Sequence, residues 1–235
     1  MKNLKKFLIV IILIVLSILA LLIGQGYKMY KEAISTMPLS QKVESIKLQK
    51  DYTNLSEIPK IYTIAVISVE DHRFEKHHGI DIIAIVRAAF NDIRTMSLVE
   101  GGSTITQQLA KNMYFTQEKK ITRKIAEVFM SCEIEKNYSK DEILELYVNT
   151  IYYGNNYYNI KSASLGYFDK LPKDLNSSEC TMLAGIPNAP SLYNPKASPK
   201  LAKQRQKQVI QKMIKYGTKT LYSINFDNVG RRLLD

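Results

Sequence analysis

The stretch GGSTITQQLAKN, from Gly101 to Asn112, is the most informative part of this sequence for its fold. Two glycines give the backbone freedom before Ser103, where the pattern predicts that a helix begins. A helix N-terminus with free N–H groups and neighbouring hydroxyls suits an anionic or polyhydroxylated ligand. An ordinary surface helix would explain the polar side chains that follow equally well. Those side chains are Gln107, Gln108, Lys111 and Asn112.

An earlier stretch, VISVEDHRFEKHHGID at positions 66–81, places the acidic pair Glu70 and Asp71 at the end of an apolar run. Three histidines follow in a polar turn, and a metal site, a general base and an ordinary helix end are the open alternatives. The histidines lack the i, i+4 spacing of the H-E-x-x-H motif, which argues against zinc. They are His72, His77 and His78.

A third stretch, TRKIAEVF, begins at position 122 and holds a second carboxylate beside basic residues. Arg123 and Glu127 are four residues apart and share a helical face. A surface ion pair worth a few tenths of a kcal/mol would account for them. The functional alternative is a basic cluster of Lys111, Arg123 and Lys124 next to Glu127.

The composition indicates an anionic partner. The 235 residues include 33 Lys and Arg against 22 Asp and Glu, a net charge of +11, and 46% of them are hydrophobic. The hydrophobic share is sufficient for a core. The positive charge favours nucleic acid, an anionic membrane surface or a phosphorylated substrate.

The sequence of the N-terminus indicates which of these partners to expect. Lys2, Lys5 and Lys6 precede an apolar run from Phe7 to Gly24, which as a helix would span about 27 Å, close to the hydrocarbon thickness of a bilayer. The leading lysines should stay cytoplasmic, so we expect a single-pass cell-membrane protein with an extracytoplasmic catalytic domain. A cleaved signal peptide ending near Gly26 is the disfavoured alternative. Nucleic acid is not expected as a partner.

Beyond the anchor, the patterns predict a mostly α-helical chain with four regions. They are a basic tip and transmembrane anchor (1–26), a membrane-proximal stalk (27–57), a catalytic domain (58–217) and a C-terminal tail (218–235). The predicted helix caps are Asp81, Ser103, Thr122 and Ser139.

Two helices carry apolar faces. The helix after Asp81 has the apolar stripe Ile82, Val86, Ala89, Phe90 and Ile93. The helix after Thr122 is predicted to turn Ile125, Val128, Phe129 and Cys132 inward. A location outside the cytoplasm permits a disulfide between Cys132 and Cys180, but two buried free thiols are expected, because neither has a Cys or His at metal-ligand spacing.

Four stretches, in this order, resemble the peptidoglycan glycosyltransferases of glycosyltransferase family 51. They are EDHRFEKHHG (70–79), GGSTITQQLAKN (101–112), RKIAE (123–127) and KDEILELYVNTIYYG (140–154). Two later stretches, GYFDK (166–170) and MLAGIPNAPSLYNP (182–195), also look like the family. The resemblance covers roughly residues 58–213, and agreement of four ordered motifs by chance is negligible.

The resemblance implies a lysozyme-like glycosyltransferase domain with a membrane-associated lobe. Members of the family join lipid II, a lipid-linked disaccharide-peptide, into glycan strands for the bacterial cell wall. The growing strand, held by its lipid pyrophosphate, is the donor, and the 4-hydroxyl of a new lipid II is the acceptor. The implied partners are the membrane, lipid II and the nascent glycan strand, with transpeptidases and other cell-wall synthesis proteins beside them.

The resemblance also assigns roles to residues. Glu70 is the implied base that takes the proton of the acceptor hydroxyl, and attack opposite the pyrophosphate inverts the anomeric centre. Glu127 is the second implied catalytic residue, which either orients the cations that stabilise the leaving group or helps to hold a divalent ion. The remaining implied binding residues are Asp71, Phe74, His77, Gly79, Ser103, Thr104, Gln107, Gln108, Lys111, Asn112, Arg123 and Lys124. No metal held by the protein is expected. The resemblance implies instead that a Mg²⁺ or Mn²⁺ ion could arrive with the substrate pyrophosphate and lie near Glu127.

The sequence departs from the family pattern in three positions. Asn159 and Lys161 stand where relatives carry Gly and Glu, and Asp169 stands where they carry Gly. We expect Lys161 to weaken turnover, so that Lys161→Glu raises it. A weakly active or inactive lipid II-binding scaffold, and a hydrolase with two carboxylates, are the alternatives left open.

The end of the sequence gives one further expectation. Eighteen residues follow Gly217, and no S-x-x-K motif of a penicillin-binding transpeptidase is present. We therefore expect a glycosyltransferase without a transpeptidase domain.

Overall fold

A computed structural model describes residues 2–95, 101–116, 118 and 120–216 of the chain. Within these ranges the regular structure is helical and contains no strand, which confirms the predicted fold class. The α-helices are α1 (Lys2–Thr36), α2 (Leu39–Lys47), α3 (Lys60–Glu70), α4 (Ile82–Thr95), α5 (Ile105–Tyr114), α6 (Ile121–Asn137), α7 (Lys140–Val148), α8 (Ile160–Phe168), α9 (Ser177–Gly185) and α10 (Pro199–Tyr216). Short 3₁₀ turns lie at Leu55–Glu57, Phe74–Lys76, Pro172–Asp174 and Ile186–Asn188. The predicted C-terminal tail and the helix stop at Gly217 lie outside the described residues.

Two of the four predicted caps are confirmed. The Asp81 carboxylate accepts the backbone N–H of Ala84 at 3.1 Å, and Ser139 forms a capping box with Glu142 at the start of α7.

The other two predicted caps are wrong. Thr104, not Ser103, caps α5, because its hydroxyl and the side chain of Gln107 satisfy each other's backbone N–H groups. Helix α6 begins one residue before Thr122, with Lys120 at the cap position. The Ser103 side chain is therefore left over for another partner.

The core forms around two central helices. Helix α3 packs on α9 and α10, while α5 packs on α6 and α7. Their buried faces hold large side chains that are almost completely shielded from solvent, and burial of each contributes roughly 1.5–3 kcal/mol. Among them are Tyr62, Leu109, Leu146, Leu183 and Val209. This packing fixes α3 and α5 within the domain, and hydrogen bonds join the end of α3 to α5.

Helix α1 is a single continuous helix, and its second half packs on α6. A Cβ on Gly26 would lie 2.5 Å from the Ile125 side chain, so the two helices approach as closely as a glycine permits. Next to this point Tyr27 and Tyr30 contact the ring of Phe129. The described residues contain one helix long and apolar enough to cross a membrane, and its apolar window is unburied.

The stretch predicted as a stalk, residues 27–57, is not separate from the domain. Tyr30 on α1 and Leu39, Val43 and Ile46 on α2 all belong to the hydrophobic core. The lysine-rich composition suggested a solvated segment, but its few apolar residues recur at helical spacing and are buried together.

The structure places the two apolar faces differently. The predicted stripe of α4 points outward, with Phe90 64% exposed and Ile82 and Val86 also exposed; the side chains of residues 89 and 93 are outside the described set. On α6 the predicted inward face is only partly buried, with Phe129 packed against the core. The fully buried residues of that helix are Ala126, Glu127, Met130, Ser131 and Ile134. Cys132 is therefore an exposed free thiol, while Cys180 is buried as predicted.

Candidate active site

An open cleft of about 320 Å³ lies between the end of α3, the start of α5 and helix α10. Most of its lining is polar or charged. The lining residues are Val69, Glu70, His72, Arg87, Gly101, Ser103, Gln108, Lys111, Pro187, Asn188, Arg205, Lys212 and Tyr216. Four of the predicted site residues are among them, namely Glu70, Ser103, Gln108 and Lys111.

Glu70 occupies the last position of α3 and reaches the cleft with one oxygen unpaired. Its side chain is 9% exposed, and Oε2 accepts a hydrogen bond from Gln108 Nε2 at 2.9 Å. Oε1 has no hydrogen-bond partner among the described residues, and Nη2 of Arg205 is 3.7 Å from it. A carboxylate oxygen that is shielded from water and unpaired is able to accept a proton from a ligand.

The turn after Glu70 is held by buried contacts. Nε2 of His77 lies 2.9 Å from Asp71 Oδ2, which also accepts the backbone N–H of Ile105 at 3.0 Å. The Thr104 hydroxyl donates to the carbonyl of Gly79 at 2.7 Å. These bonds connect the end of α3 to the start of α5, so they fix the position of Glu70 relative to Gln108.

Several implied binding residues are placed behind the cleft wall. Asp71, Phe74, His77, Thr104 and Gln107 are all buried, and the structure gives them supporting contacts within the fold. Asn112 is partly buried on α5 and does not line the cleft. The sequence motif alone does not distinguish residues that face a ligand from those that position them.

Glu127 is the centre of a cationic cluster beside the cleft. The carboxylate is 2% exposed and pairs with Arg123 through Oε1 and with Lys124 through Oε2, the latter at 2.9 Å. Lys124 Nζ also donates at 2.6 Å to the hydroxyl of Ser103, which lines the cleft. The three cluster residues do not line the cleft themselves, and Arg123 lines a separate pocket. Glu127 therefore holds two cations next to the loop that begins α5.

The ammonium group of Lys111 interacts electrostatically with both carboxylates, Glu70 and Glu127. Burial has the largest effect and lowers the pKa of its ammonium group, whereas the charges of Glu127 and Glu70 raise it and those of Arg123 and Lys124 lower it. Lysine at this position therefore loses its charge at a lower pH than a solvated lysine does.

The described residues do not fit a metal ion held by the protein. They contain no group of three or more His, Cys, Asp or Glu side chains that could hold one. Both oxygens of Glu127 are already paired with cations, and His78 is exposed, away from His77. The zinc alternative for the histidine-rich turn is thus disfavoured.

Helices α4 and α10 supply cleft residues that the sequence motifs did not indicate. Arg205 is buried beside Glu70 and lies over the ring of Tyr193. Lys212 Nζ is 3.4 Å from the carbonyl oxygen of Val69. Arg205 shares the buried face of α10 with Val209 and Met213, and a charged residue in an apolar stripe is the one signal that could have revealed it.

The second missed group surrounds His72, in the turn after α3. Its ring stacks on Tyr216 with the centroids 3.9 Å apart, and Arg87 donates to Nε2 at 3.2 Å. Burial, and then the nearby Arg87 charge, lower the pKa of His72. The imidazole is therefore held neutral near pH 7.

The three departures from the family pattern lie outside the cleft lining. Asn159 caps α8 by accepting the N–H of Ser162 at 2.8 Å, and Asp169 ends that helix with a left-handed φ of 55°. Lys161 pairs with Asp51 at 3.7 Å. This position removes the electrostatic reason for expecting Lys161 to weaken turnover, because its charge is not directed at the cationic cluster.

Comparison with known proteins gives this arrangement its context. Residues 38–214 match the family described as Transglycosylase. The chain belongs to the transglycosylase family. The match begins twenty residues before the predicted domain, consistent with the buried positions found on α2.

The similar proteins differ in length. A relative from Cupriavidus necator whose name refers to a transglycosylase is 44% identical over 181 residues, which cover 77% of this chain and 78% of that protein. Penicillin-binding protein 1A of Neisseria gonorrhoeae is 45% identical over 166 residues, or 71% of this chain and 21% of the relative. Penicillin-binding protein 1F of Bacillus subtilis is 41% identical over 226 residues, which cover 90% of this chain and 32% of that protein. The chain thus spans less than a third of the length of these two penicillin-binding proteins.

Membership confirms the family that the four motifs indicated and supports glycosyl transfer as the reaction class. In this transglycosylase the unpaired oxygen of Glu70 and the cations around Glu127 lie near one polar cleft. The roles of individual residues stay predictions.

Proposed function

We propose that this chain polymerises lipid II into peptidoglycan glycan strands by an inverting glycosyl transfer. The observation on which the proposal depends is the unpaired Oε1 of Glu70 in a cleft rich in cations. Family membership and the penicillin-binding relatives support peptidoglycan as the product class.

Glu70 would act as the general base. A sugar hydroxyl is a poor nucleophile, and a positioned base that removes its proton contributes about 10²–10⁴-fold to the rate. Gln108 occupies Oε2 and leaves Oε1 to accept the proton. The 4-hydroxyl of the acceptor sugar then attacks the anomeric carbon of the donor, and the bond to the lipid pyrophosphate breaks.

The cationic cluster would stabilise the leaving pyrophosphate. Arg123 and Lys124 are held in place by Glu127, and Lys111 lines the cleft beside them. Fixed cations stabilise charge that develops in the transition state without reorganising at that moment. No proton has to be given to the leaving group.

Any Mg²⁺ or Mn²⁺ would arrive with the pyrophosphate as part of the substrate. The paired state of Glu127 offers such an ion no free oxygen, so the protein's own cations are the groups assigned to the leaving group here. Chelation of the ion by added EDTA should then remove only the part of the polymerisation rate that depends on an ion bound to the substrate pyrophosphate.

The membrane supplies the substrate in this proposal. Helix α1 would anchor the chain with the cleft outside the cell, and the exposed apolar face of α4 would rest in the outer surface of the bilayer. Both features bring the cleft to the headgroups of lipid-linked sugars. Protease added to intact spheroplasts should digest the domain; full protection would contradict this orientation.

The test is incubation of the purified full chain with lipid II in detergent or liposomes. Polymer formation supports the proposal, cleavage of preformed strands would make the protein a hydrolase, and binding without either would make it a scaffold. Transpeptidases and other cell-wall synthesis proteins are proposed partners, which the assay does not require.

A further inference from the structure

We propose that Tyr147, on α7, is a positioning residue for Glu70 and acts through the amide of Gln108. The inference rests on the proposed function for its kinetic consequences, but its structural part concerns the carboxyl group alone. Tyr147 is buried and does not line the cleft, so it has no direct contact with a ligand there.

The contact itself is a chain of two hydrogen bonds. The Tyr147 hydroxyl donates to Gln108 Oε1 at 3.2 Å, and Gln108 Nε2 donates to Glu70 Oε2 at 2.9 Å. An amide has one accepting end and one donating end, so the partner of one end decides which end faces the other neighbour. With Tyr147 as the donor, the NH₂ end of Gln108 faces the carboxylate.

The direction of the first bond is fixed by the tyrosine. Burial, and next the charge of Glu70, raise the pKa of the Tyr147 hydroxyl well above its ordinary value. The hydroxyl therefore keeps its proton over the working pH range and is available to donate.

The amide orientation has two effects on Glu70. A hydrogen bond from Nε2 favours the charged carboxylate, and it occupies Oε2, so that Oε1 is the oxygen left for the substrate proton. With the amide reversed, its oxygen would face the carboxylate, and the hydrogen bond to Oε2 would be lost. Loss of the Tyr147 hydroxyl should therefore leave the amide, and with it the Glu70 carboxylate, less firmly positioned.

Other charged and titratable groups around Glu70 are unchanged by such a substitution. Helix α5 contributes Lys111 and helix α10 contributes Arg205, whose guanidinium is 3.7 Å from Oε1. The turn and the cleft walls contribute the rest, namely Asp71, His72, Arg87 and Lys212. A shift on removing one neutral hydroxyl can thus be assigned to the Gln108 contact.

The primary experiment compares Tyr147→Phe with Tyr153→Phe. Tyr153 is equally buried, and its hydroxyl lies 2.5 Å from that of Tyr62 rather than near the cleft. Both variants lose one buried hydroxyl, so both should show a comparable fall in Tm. A merely structural role for Tyr147 predicts that the two behave alike in every other measurement.

The first readout is the carboxylate stretching band of Glu70 in infrared difference spectra, assigned with Glu70→Gln. We expect Tyr147→Phe to move this band, because the hydrogen bond from Gln108 to Oε2 changes, and Tyr153→Phe to leave it in place. An unchanged band in folded Tyr147→Phe overturns the inference, whatever the enzyme does with lipid II.

The second readout is the rate of lipid II polymerisation. A base that is less firmly positioned removes the proton less efficiently, so we expect Tyr147→Phe to lower kcat by about tenfold, a part of the roughly 10²–10⁴-fold that a general base contributes. KM should stay unchanged, and Tyr153→Phe should change neither constant. If wild type forms no polymer but the infrared band moves, the proposed function fails and the positioning role stands.

A double mutant protects the test against a general loss of packing. In a Gln108→Leu background the Tyr147 hydroxyl has no amide to orient, so adding Tyr147→Phe should not move the Glu70 infrared band further. An equal shift in both backgrounds would show that Tyr147 acts without Gln108 and would overturn the proposal.

Discussion

Glu70 and Glu127 are two shielded carboxylates of one site, and they differ in what their oxygens contact. Glu127 pairs each oxygen with a cation at hydrogen-bond distance, whereas Glu70 accepts one hydrogen bond from a neutral amide, and its other oxygen has only the longer ion pair with Arg205 at 3.7 Å. A carboxylate whose two oxygens both accept charge-assisted hydrogen bonds is a poorer proton acceptor than one with an oxygen that accepts none. The surroundings, rather than the residue type, therefore separate a base from a group that holds cations.

The largest effect should come from Glu70→Gln. Glutamine keeps the shape of the side chain but cannot take the acceptor's proton, so kcat for polymerisation should fall about 10²–10⁴-fold with little change in binding of a pyrophosphate lipid. Glu75→Gln is the matched control, because Glu75 is an exposed glutamate five residues along the chain. Polymerisation by Glu70→Gln at the wild-type rate would refute the assignment of the base.

Glu127→Gln should have a smaller effect of a different kind. Glutamine can accept from one cation only, and loss of a charge-assisted hydrogen bond costs roughly 1.5–3 kcal/mol, or about 10- to 100-fold in kcat/KM. Because Arg123 and Lys124 lose their positions, KM for the pyrophosphate lipid should rise together with a fall in kcat. If Glu127→Gln lowered kcat and left the affinity for the lipid unchanged, the two carboxylates would have the same kinetic effect, and the proposed difference in their roles would be wrong.

The difference between the carboxylates shows how far the sequence can lead. Caps such as Ser139 and the apolar span of α1 depend on neighbours a few residues apart, so local pattern suffices to predict them. The oxygens of Glu127 are paired with residues three and four positions away, and that pairing is also local. The surroundings of Glu70 come from α5 and α10, and no local pattern places Arg205 beside it.

Helix α4 shows a second limit on prediction from sequence. Its apolar spacing correctly indicates an amphipathic helix, but a spacing does not say whether the apolar face meets a core or another apolar medium. The stripe itself was predicted, but not its direction, and the helix turns Ile82, Val86 and Phe90 outward. The motifs likewise identified the neighbourhood of the site but did not separate cleft-lining Gln108 from buried Gln107.

Lys111 provides a pH test of the same comparison. Because burial lowers its pKa, its ammonium loses charge as the pH rises, and KM for the pyrophosphate lipid should increase on the alkaline side. Lys111→Arg keeps the charge at all accessible pH values and should remove that increase, an effect of less than about tenfold. The exposed Lys173 is the control position for the same substitution. An unchanged alkaline limb in Lys111→Arg would mean that another group causes it.

Lys161→Glu should have the smallest effect, since Lys161 pairs with Asp51 away from both carboxylates. The pair is partly exposed, and its loss should lower the free energy of unfolding by at most about 1 kcal/mol. Polymerisation should stay within about twofold of wild type. A large gain in rate would restore the idea that this departure from the family pattern restrains turnover.

The continuous helix α1 has a consequence for kinetics in the proposed function. Its 35 residues give a length of about 52 Å, which exceeds the hydrocarbon thickness of a bilayer, and its outer part is fixed to the helix that bears Arg123 and Glu127. Enzyme and lipid-linked substrate would then search for each other in two dimensions, at a fixed height. Saturation should follow the mole fraction of substrate in the membrane, so diluting the liposomes with buffer should leave the rate per enzyme unchanged, and diluting them with inert lipid should lower it.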